Sequence, residues 1–219
     1  MTKFKLTATA MTQTRRLIYI HDPMCSWCYG FAPTLTQLLR RLPDDLDFAR
    51  LLGGLAPDND QPMPMELQSK LQDTWRRIQE RIPGTRFNFD FWRDCKPRRS
   101  TWPACRAVIV ARQMDTACEQ PMIEAIQHAY YQEARNPSDT ETLTALSEDL
   151  GLDSGEFTDK LHAPATCEQL EREIRESRSI GADSFPSLRL QIHDRYWAVP
   201  VDYLDVAPML ETIGSLLDD

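Results

Sequence analysis

The sequence lacks an apolar run long enough to cross a membrane. A spanning helix needs roughly 18 mostly apolar residues in succession, and polar or charged residues interrupt the hydrophobic stretches of this 219-residue chain sooner than that. The N-terminal residues also lack the apolar stretch of about 7–15 residues that marks a secretory signal peptide. We therefore expect the cytoplasm as the working compartment and no membrane partner.

An excess of positive charge is missing as well. The chain has 25 Lys and Arg against 33 Asp and Glu, which gives a net charge of −8 at pH 7, and it has no basic block. Nucleic acids and anionic membrane surfaces are bound through clusters of Lys and Arg. Neither is expected as a partner.

The sequence also lacks a second pair of metal ligands. A structural zinc site takes four Cys or His ligands, but of the six cysteines only Cys25 and Cys28 lie close together, and the four histidines show no HxxxH spacing. We therefore expect no metal. In a reducing cytosol, two cysteines at this spacing are more often catalytic than structural.

The apolar pattern predicts strands at both ends of the chain. Runs at 17–20 and 46–52 predict buried strands, with a helix at 25–41 between them. Two further strands are predicted at 187–193 and 195–199, followed by a final helix. The order βαβ, then ββα, predicts an α/β sheet with helices on its faces.

Helical spacing of Leu, Ile and aromatic residues fills the middle of the chain. Two of these helices have the spacing of a capping box at their start, Ser138 with Glu141 and Thr166 with Gln169. The middle of the chain is therefore predicted to be an all-helical block between the two strand-containing parts.

The four residues Cys25-Ser26-Trp27-Cys28 suggest a chemistry. They follow a predicted strand and begin a predicted helix, so the cysteines can bridge across the first helical turn. At this end of a helix, free backbone N–H groups and the helix dipole favour a thiolate at Cys25, and the thiolate is the nucleophile in disulfide exchange. Cys28 lies a turn deeper, where it can resolve a mixed disulfide. Half of a zinc site and two merely buried thiols are the alternatives.

The segment at 22–33, DPMCSWCYGFAP, resembles the active-site segment of DsbA-like thioredoxin-fold proteins. Its CSWC followed by Tyr-Gly-Phe is similar to the FrnE-like branch of that family. The resemblance implies a thioredoxin-like fold, βαβ…ββα, with a large all-helical insertion in one elaborated domain. The thioredoxin-like parts are then expected at about 15–60 and 166–219, and the insertion at about 61–165.

The family also has a cis-proline that faces the cysteine pair just before a strand. By position, Pro186 in Ser184-Phe185-Pro186-Ser187 matches it, so the resemblance implies that Phe185 and Pro186 contribute to substrate binding. The backbone of Phe185 is expected to pair with an extended peptide beside Cys25. Family members often carry Val or Thr where this chain has Phe185.

Other residues are candidates for the rim of the site. Ser26 and Trp27 are uncharged and give the Cys25 thiolate no ionic help, so we expect a pair that is less oxidising than that of periplasmic DsbA-type proteins. Trp27 offers an apolar contact to a partner. The resemblance places Trp102 on the wall of the substrate groove.

Two titratable residues precede the active-site loop. His21 is a candidate for proton transfer. Asp22 is expected to cap the turn that follows it or, if it faced Cys25, to oppose thiolate formation.

We therefore predict a thiol–disulfide oxidoreductase, protein disulfide isomerase-like, acting as reductase, isomerase or dithiol oxidant through Cys25 as nucleophile and Cys28 as resolving cysteine. Its partners would be protein or small-molecule thiols and disulfides. No bound cofactor is expected, although glutathione fits as a co-substrate. Two alternatives stay open: a glutathione-dependent isomerase or transferase of the kappa-class type, which shares the inserted-helix layout, and a redox-linked chaperone or binding module. The oligomeric state stays open too.

Overall fold

The computed structural model describes residues 14–218. The expectation that the N-terminal stretch is not a signal peptide concerns residues outside this range. The strands are β1 (Arg15–His21), β2 (Asp47–Leu52), β3 (Ser187–Ile192) and β4 (Arg195–Val199). The helices are α1 (Ser26–Leu39), α2 (Met65–Arg81), α3 (Phe91–Asp94), α4 (Trp102–Met114), α5 (Glu119–Tyr131), α6 (Thr140–Asp149), α7 (Ser154–Leu161), α8 (Pro164–Ser179) and α9 (Ala207–Asp218). In this part of the chain, no helix is both long and apolar enough to cross a bilayer.

β1 lies in the interior of the sheet, whose strand order is β2-β1-β3-β4. It pairs in parallel with β2, where Tyr19 stands opposite Arg50. It pairs antiparallel with β3, and β4 completes the sheet as the antiparallel partner of β3. The predicted α/β arrangement, βαβ before the helical block and ββα after it, is confirmed.

Both faces of β1 are covered, which explains its near-continuous apolar sequence. Successive side chains point to opposite faces of a sheet. Leu17 and Tyr19 therefore pack into a core shared with α1 and α9. Ile18 and Ile20 pack into a second core, which includes Ile180 at the end of α8. This double burial fixes the carboxyl end of β1, where the cysteine motif follows.

The helices between β2 and β3 have a core of their own. At its centre lies Trp75 of α2, and the ring centroids of six aromatic residues lie 4.9–6.1 Å from its ring: Phe87, Phe89, Phe91, Trp92, Tyr130 and Tyr131. The same core extends to Met24 in the active-site loop. The helical block is thus packed directly against the segment that carries the cysteines.

α8 crosses the expected boundary between the helical insertion and the C-terminal thioredoxin-like part. That boundary, between residues 165 and 166, falls inside this helix. Leu170 and Ile174 belong to the core of the helical block, whereas a Glu173 carboxylate oxygen accepts a hydrogen bond from the Leu52 N–H of β2 (3.1 Å). α8 therefore contacts both parts, and the division at this point stays a prediction.

The two expected capping boxes are wrong. The Ser138 hydroxyl donates to the carbonyl of Ser100 (2.7 Å) instead of capping α6, which Asp139 precedes directly. Thr166 lies within α8, which begins earlier, at Pro164, and its side chain is buried. At Ser138 a tertiary contact outweighs the local capping signal. At the start of α8 the proline, which suits the first helical turn, outweighs it.

Candidate active site

The cysteine pair lies where β1 ends and α1 begins. Cys25 is the N-cap residue of α1, and Cys28 lies in the first turn of this helix. A tight turn precedes them, in which the Cys25 N–H donates to the carbonyl of Asp22 (3.0 Å). The buried strand and this turn together set the position of both sulfurs.

The two cysteines have different surroundings. Cys25 is 6 % exposed, whereas Cys28 is 0 % exposed. Both are free thiols in this structure. The backbone N–H of Cys28 points to Cys25 Sγ at 3.3 Å, and an N–H donor at the start of a helix favours negative charge on that sulfur. Cys25 is therefore the sulfur that an external disulfide can approach.

The protonation of Cys28 strengthens this asymmetry. Burial raises the pKa of the Cys28 thiol well above its ordinary value, and the neighbouring Cys25 adds to the effect. A buried thiol with a raised pKa stays protonated at neutral pH and is a poor nucleophile until a proton acceptor is at hand. At neutral pH, Cys28 is therefore a poor candidate for an initial attack.

The predicted proline loop lies beside Cys25. The Phe185–Pro186 peptide bond is cis, as the resemblance implies. The Cys25 thiol donates to the carbonyl of Phe185 (3.6 Å). The ring of Phe185 packs so closely on Gly53 that a Cβ at position 53 would lie 1.9 Å from Phe185 Cε1. The glycine after β2 therefore makes room for this loop.

Trp102 packs on the neighbouring glycine. Its indole N–H donates to the carbonyl of Gly54 (3.3 Å), and a Cβ at position 54 would lie 2.9 Å from the indole nitrogen. Gly54 also has a φ of +60°, which favours glycine. Trp102 and Phe185 thus flank one glycine pair. Phe185 also contacts Cys25, whereas a place for Trp102 on the wall of a substrate groove stays a prediction.

Ser26 and Trp27 begin α1, and both are partly exposed. The Trp27 ring lies 5.1 Å from the ring of Tyr203, measured between centroids. The guanidinium of Arg81 lies over both rings, 5.8 Å from Trp27 and 5.4 Å from Tyr203. Sequence reasoning missed Arg81 and Tyr203, because no local motif marks either and long-range packing brings them to the site.

Asp22 connects three segments at the base of the site. Its buried carboxylate accepts hydrogen bonds from the Met24 N–H (2.8 Å), the Leu55 N–H (2.7 Å) and the Thr101 hydroxyl (2.6 Å). Burial raises the pKa of this carboxyl, and the hydrogen bonds oppose that rise. The expected turn cap is confirmed by the Met24 contact. The connection to Leu55 and Thr101 is a role that the sequence did not indicate.

His21 is a buried, neutral imidazole. The side chain is 1 % exposed and stacks on Tyr19 with 4.9 Å between ring centroids. Burial lowers the pKa of His21 to about 3, and the charges of Arg50 and Arg112 add to the effect. Neither ring nitrogen has a hydrogen-bond partner among residues 14–218.

A cavity of about 350 Å³ lies between α1, α5 and the strands β1 and β2, and both His21 and Cys28 line it. Tyr19, Arg50 and Gln127 also line this cavity. Proton transfer through His21 stays a prediction. The imidazole borders the same space as Cys28 but is neutral at physiological pH.

Among the described residues, no three His, Cys, Asp or Glu side chains are grouped so that they could hold a metal ion. What the arrangement offers is one slightly exposed cysteine next to a helical N–H and one fully buried cysteine three residues on. Such a pair suits thiol–disulfide exchange.

Comparisons with known proteins agree with this geometry. A sequence model of the family described as DSBA-like thioredoxin domain matches residues 17–200. No curated protein matched the chain. Among solved structures, a candidate protein disulfide isomerase from Nitrosomonas europaea is 24 % identical, with a TM-score of 0.81 over 94 % of this chain and 98 % of that one.

A second similar structure is the cytosolic disulfide reductase DsbM from Pseudomonas aeruginosa. It is 26 % identical, with a TM-score of 0.71 over 93 % of this chain and 97 % of that one. The same protein with GSH gives a TM-score of 0.70 at 26 % identity, over 93 % and 100 % of the two chains.

Proposed function

Because the chain belongs to the family of DSBA-like thioredoxin domains, we propose that it is a disulfide reductase in which Cys25 attacks and Cys28 resolves. The expected thioredoxin-like fold with a helical insertion is confirmed, and the FrnE-like branch is compatible with it. The observation that carries the proposal is the unequal environment of the two sulfurs. Cys25 accepts a helical N–H at 3.3 Å, whereas burial raises the pKa of Cys28.

The reaction proceeds in two exchanges. The Cys25 thiolate attacks one sulfur of a substrate disulfide, the substrate S–S bond breaks, and the leaving thiolate takes up a proton. Cys28 then loses its proton and attacks Cys25 Sγ, which forms the Cys25–Cys28 disulfide and releases the second substrate thiol. Two electrons and two protons have moved from the protein dithiol to the substrate. Two molecules of a thiol such as glutathione regenerate the dithiol and leave as their disulfide.

The direction of electron flow and the thiol donor are supported by two observations. The Ser26-Trp27 dipeptide carries no charge that would stabilise a thiolate at Cys25, and a less stabilised thiolate makes a less oxidising pair. The similar DsbM is named a cytosolic disulfide reductase, and one of its structures contains GSH. We accordingly place this chain in the cytoplasm, with glutathione as reductant and protein or small-molecule disulfides as substrates.

The backbone of Phe185 has a part in substrate binding within this scheme. In the dithiol state its carbonyl accepts the Cys25 thiol (3.6 Å). Once Cys25 is bonded to a substrate sulfur, it has no S–H to donate. The Phe185 carbonyl is then available for a backbone N–H of an extended substrate. In this scheme Pro186, Ser26, Trp27 and Trp102 are the further residues expected to contact the substrate.

Trapping of the mixed disulfide tests the assignment of the two cysteines. Treated with glutathione disulfide or with insulin, Cys28→Ala should accumulate a mixed disulfide between Cys25 and glutathione or an insulin chain, detected by mass spectrometry. Cys25→Ser should accumulate none. Wild type should reduce insulin with glutathione as electron source. Cys167→Ser, a partly exposed cysteine outside the motif, is the matched control and should behave as wild type.

Three outcomes would overturn the proposal. Mixed disulfides formed through Cys28 in the Cys25→Ser protein would reverse the two roles. Conjugation or isomerisation with glutathione but no insulin reduction would identify a kappa-class type of activity. Suppression of aggregation that persists in Cys25→Ala, in a protein that reduces no disulfide, would identify a binding module.

A further inference from the structure

A single arginine lies over the aromatic rim of the cysteine motif. Arg81 is the last residue of α2, and its guanidinium carbon lies 5.8 Å from the Trp27 ring and 5.4 Å from the Tyr203 ring. Trp27 stands between the two cysteines in sequence. One of the two rings under Arg81 therefore belongs to the cysteine motif itself.

The guanidinium of Arg81 has uncommitted hydrogen-bond donors. Elsewhere on α2, Lys70 pairs with Glu66 (2.6 Å) and Arg76 with Asp73 (2.7 Å). Arg81 makes no ion pair with any residue in the 14–218 range, and its side chain is exposed. Its positive charge is therefore available to a ligand that approaches the cysteine motif.

One acidic residue faces Arg81 from the loop before α9. Hydrogen bonds from the Asp205 and Leu204 N–H groups lower the pKa of Asp202, and Arg81 adds a smaller electrostatic contribution. Those two N–H groups occupy one oxygen of the Asp202 carboxylate, at 2.9 Å and 2.8 Å. Asp202 thus acts on Arg81 only through space and leaves its donors free.

The rings fix the guanidinium in place. A guanidinium within about 6 Å of an aromatic centroid is attracted to the ring face, and two rings restrict it more than one does. The planar fork of an arginine matches a carboxylate with two parallel N–H bonds. In a chain with a net charge of −8, a cation that is unpaired among the described residues and lies over a ring of the cysteine motif distinguishes this part of the surface.

We propose that Arg81 binds a carboxylate of the disulfide substrate, so that the site prefers small disulfides with carboxylates near their sulfurs. The inference rests on the proposed thiol–disulfide exchange and adds the substrate class to it. Arg81 donates two N–H bonds to the carboxylate and takes no part in bond exchange. Its contribution therefore depends on the charge of the substrate and not on its sulfur chemistry.

Single-turnover kinetics of the dithiol protein test this preference. Four disulfides are compared: dithiodipropionate and glutathione disulfide carry carboxylates, hydroxyethyl disulfide is neutral, and cystamine is cationic. For Arg81→Gln we expect the second-order rate constant to fall about fivefold with the two carboxylate disulfides, which is the upper range for an exposed charge pair. The neutral disulfide should react at an unchanged rate, and cystamine at the same rate or faster.

Two further variants separate the effect of the positive charge of Arg81 from an effect of its side chain on the packing of the two rings. Arg81→Lys keeps the charge but loses the planar fork, so its rates with carboxylate disulfides should fall between those of wild type and Arg81→Gln. Arg77→Gln is the matched control, because Arg77 is an exposed arginine of the same helix that bonds only to Thr74 (3.0 Å). Added salt should weaken the preference of wild type for carboxylate disulfides.

Two results would overturn the inference. If Arg81→Gln slows all four disulfides by the same factor, or none of them, Arg81 does not select the substrate, and the proposed function stands without it. If wild-type dithiol protein reacts with none of the four disulfides, the proposed function fails and the role of Arg81 fails with it.

Discussion

Replacing His21 with phenylalanine should make the folded protein more resistant to mild acid. The imidazole is 1 % exposed, and within the described chain neither of its nitrogens has a hydrogen-bond partner. Burial and two neighbouring arginines lower its pKa to about 3, from an ordinary value of 6.5. Between about pH 3 and pH 6.5, His21 is therefore neutral in the folded protein and protonated in the unfolded chain.

The sign and size of the effect follow from this difference. A lowered pKa in the folded state gives stability that is complete above pH 6.5 and is lost as the pH falls towards 3. At about 1.4 kcal/mol for each pH unit, the loss is roughly 2 kcal/mol at pH 5. Across the whole interval, 6.5 − 3 = 3.5 units, it reaches at most about 5 kcal/mol.

Phenylalanine removes this loss at little structural cost. It does not titrate, it retains an aromatic ring for the stacking on Tyr19 (4.9 Å, 4°), and it removes two buried polar atoms that lack partners. The adjoining cavity of about 350 Å³ can accept the larger ring. At pH 7 we expect His21→Phe to be as stable as wild type or more stable, and at pH 5 its advantage should grow by roughly 2 kcal/mol.

Urea unfolding followed by circular dichroism at pH 7, 6 and 5 measures this difference. His162→Gln is the matched control, because His162 is exposed; its stability should change with pH as that of wild type does. If wild type and His21→Phe lose stability in parallel between pH 7 and pH 5, the imidazole is not held neutral by burial, and the reasoning is refuted.

Two further substitutions test the packing around the cysteines. Asp22→Ala should lower the free energy of unfolding by about 2–5 kcal/mol, because it leaves one buried and one partly buried backbone N–H group without an acceptor. Urea unfolding beside the exposed Asp60→Ala measures this loss, and equal stability of the two variants would contradict the role of the carboxylate. Gly53→Ala would place a Cβ 1.9 Å from Phe185 Cε1 and should lower kcat/KM for insulin reduction about tenfold or more. An unchanged kcat/KM would mean that the Phe185 ring yields without disturbing the site.

The parts of the fold that the sequence predicted are those with strong local patterns. β1 is buried on both faces, and its unbroken apolar run reflects that burial. β3 and β4 were predicted as strands at 187–193 and 195–199, and they are observed at Ser187–Ile192 and Arg195–Val199. In each case the residues that determine the element lie within the element itself.

The helical block was predicted less well, because its short helices depend on their neighbours. α7 was missed, although Asp153 accepts a hydrogen bond from the Glu156 N–H (2.7 Å) at its start. The same D-x-x-E spacing would have marked it. By contrast, the equivalent signal at Ser138 led to a wrong cap, because the hydroxyl bonds to Ser100 instead. A capping motif predicts a helix start only when tertiary contacts leave its side chain free.

In the site, too, residues marked by a local motif could be assigned from the sequence, whereas residues brought in by long-range packing could not. Cys25 and Cys28 could be assigned from a four-residue motif, and Pro186 from its position relative to that motif. Arg81 and Tyr203 could not be assigned, because 122 positions separate them and neither lies in a motif. Their approach to the motif depends on how α2 and the loop before α9 pack, which a single sequence does not specify.

His21 and Asp22 are adjacent, buried and titratable, yet only Asp22 has hydrogen-bond partners among the described residues that offset its burial. Burial disfavours the charge of both, since it lowers the pKa of His21 and raises that of Asp22. Only Asp22 is compensated, by donors from the active-site loop, the glycine turn after β2 and the start of α4. One carboxylate therefore holds the active-site loop, the turn after β2 and the start of α4 together. The helical insertion is thus tied to the loop that carries Cys25 by this buried hydrogen-bond network as well as by the packing of Met24.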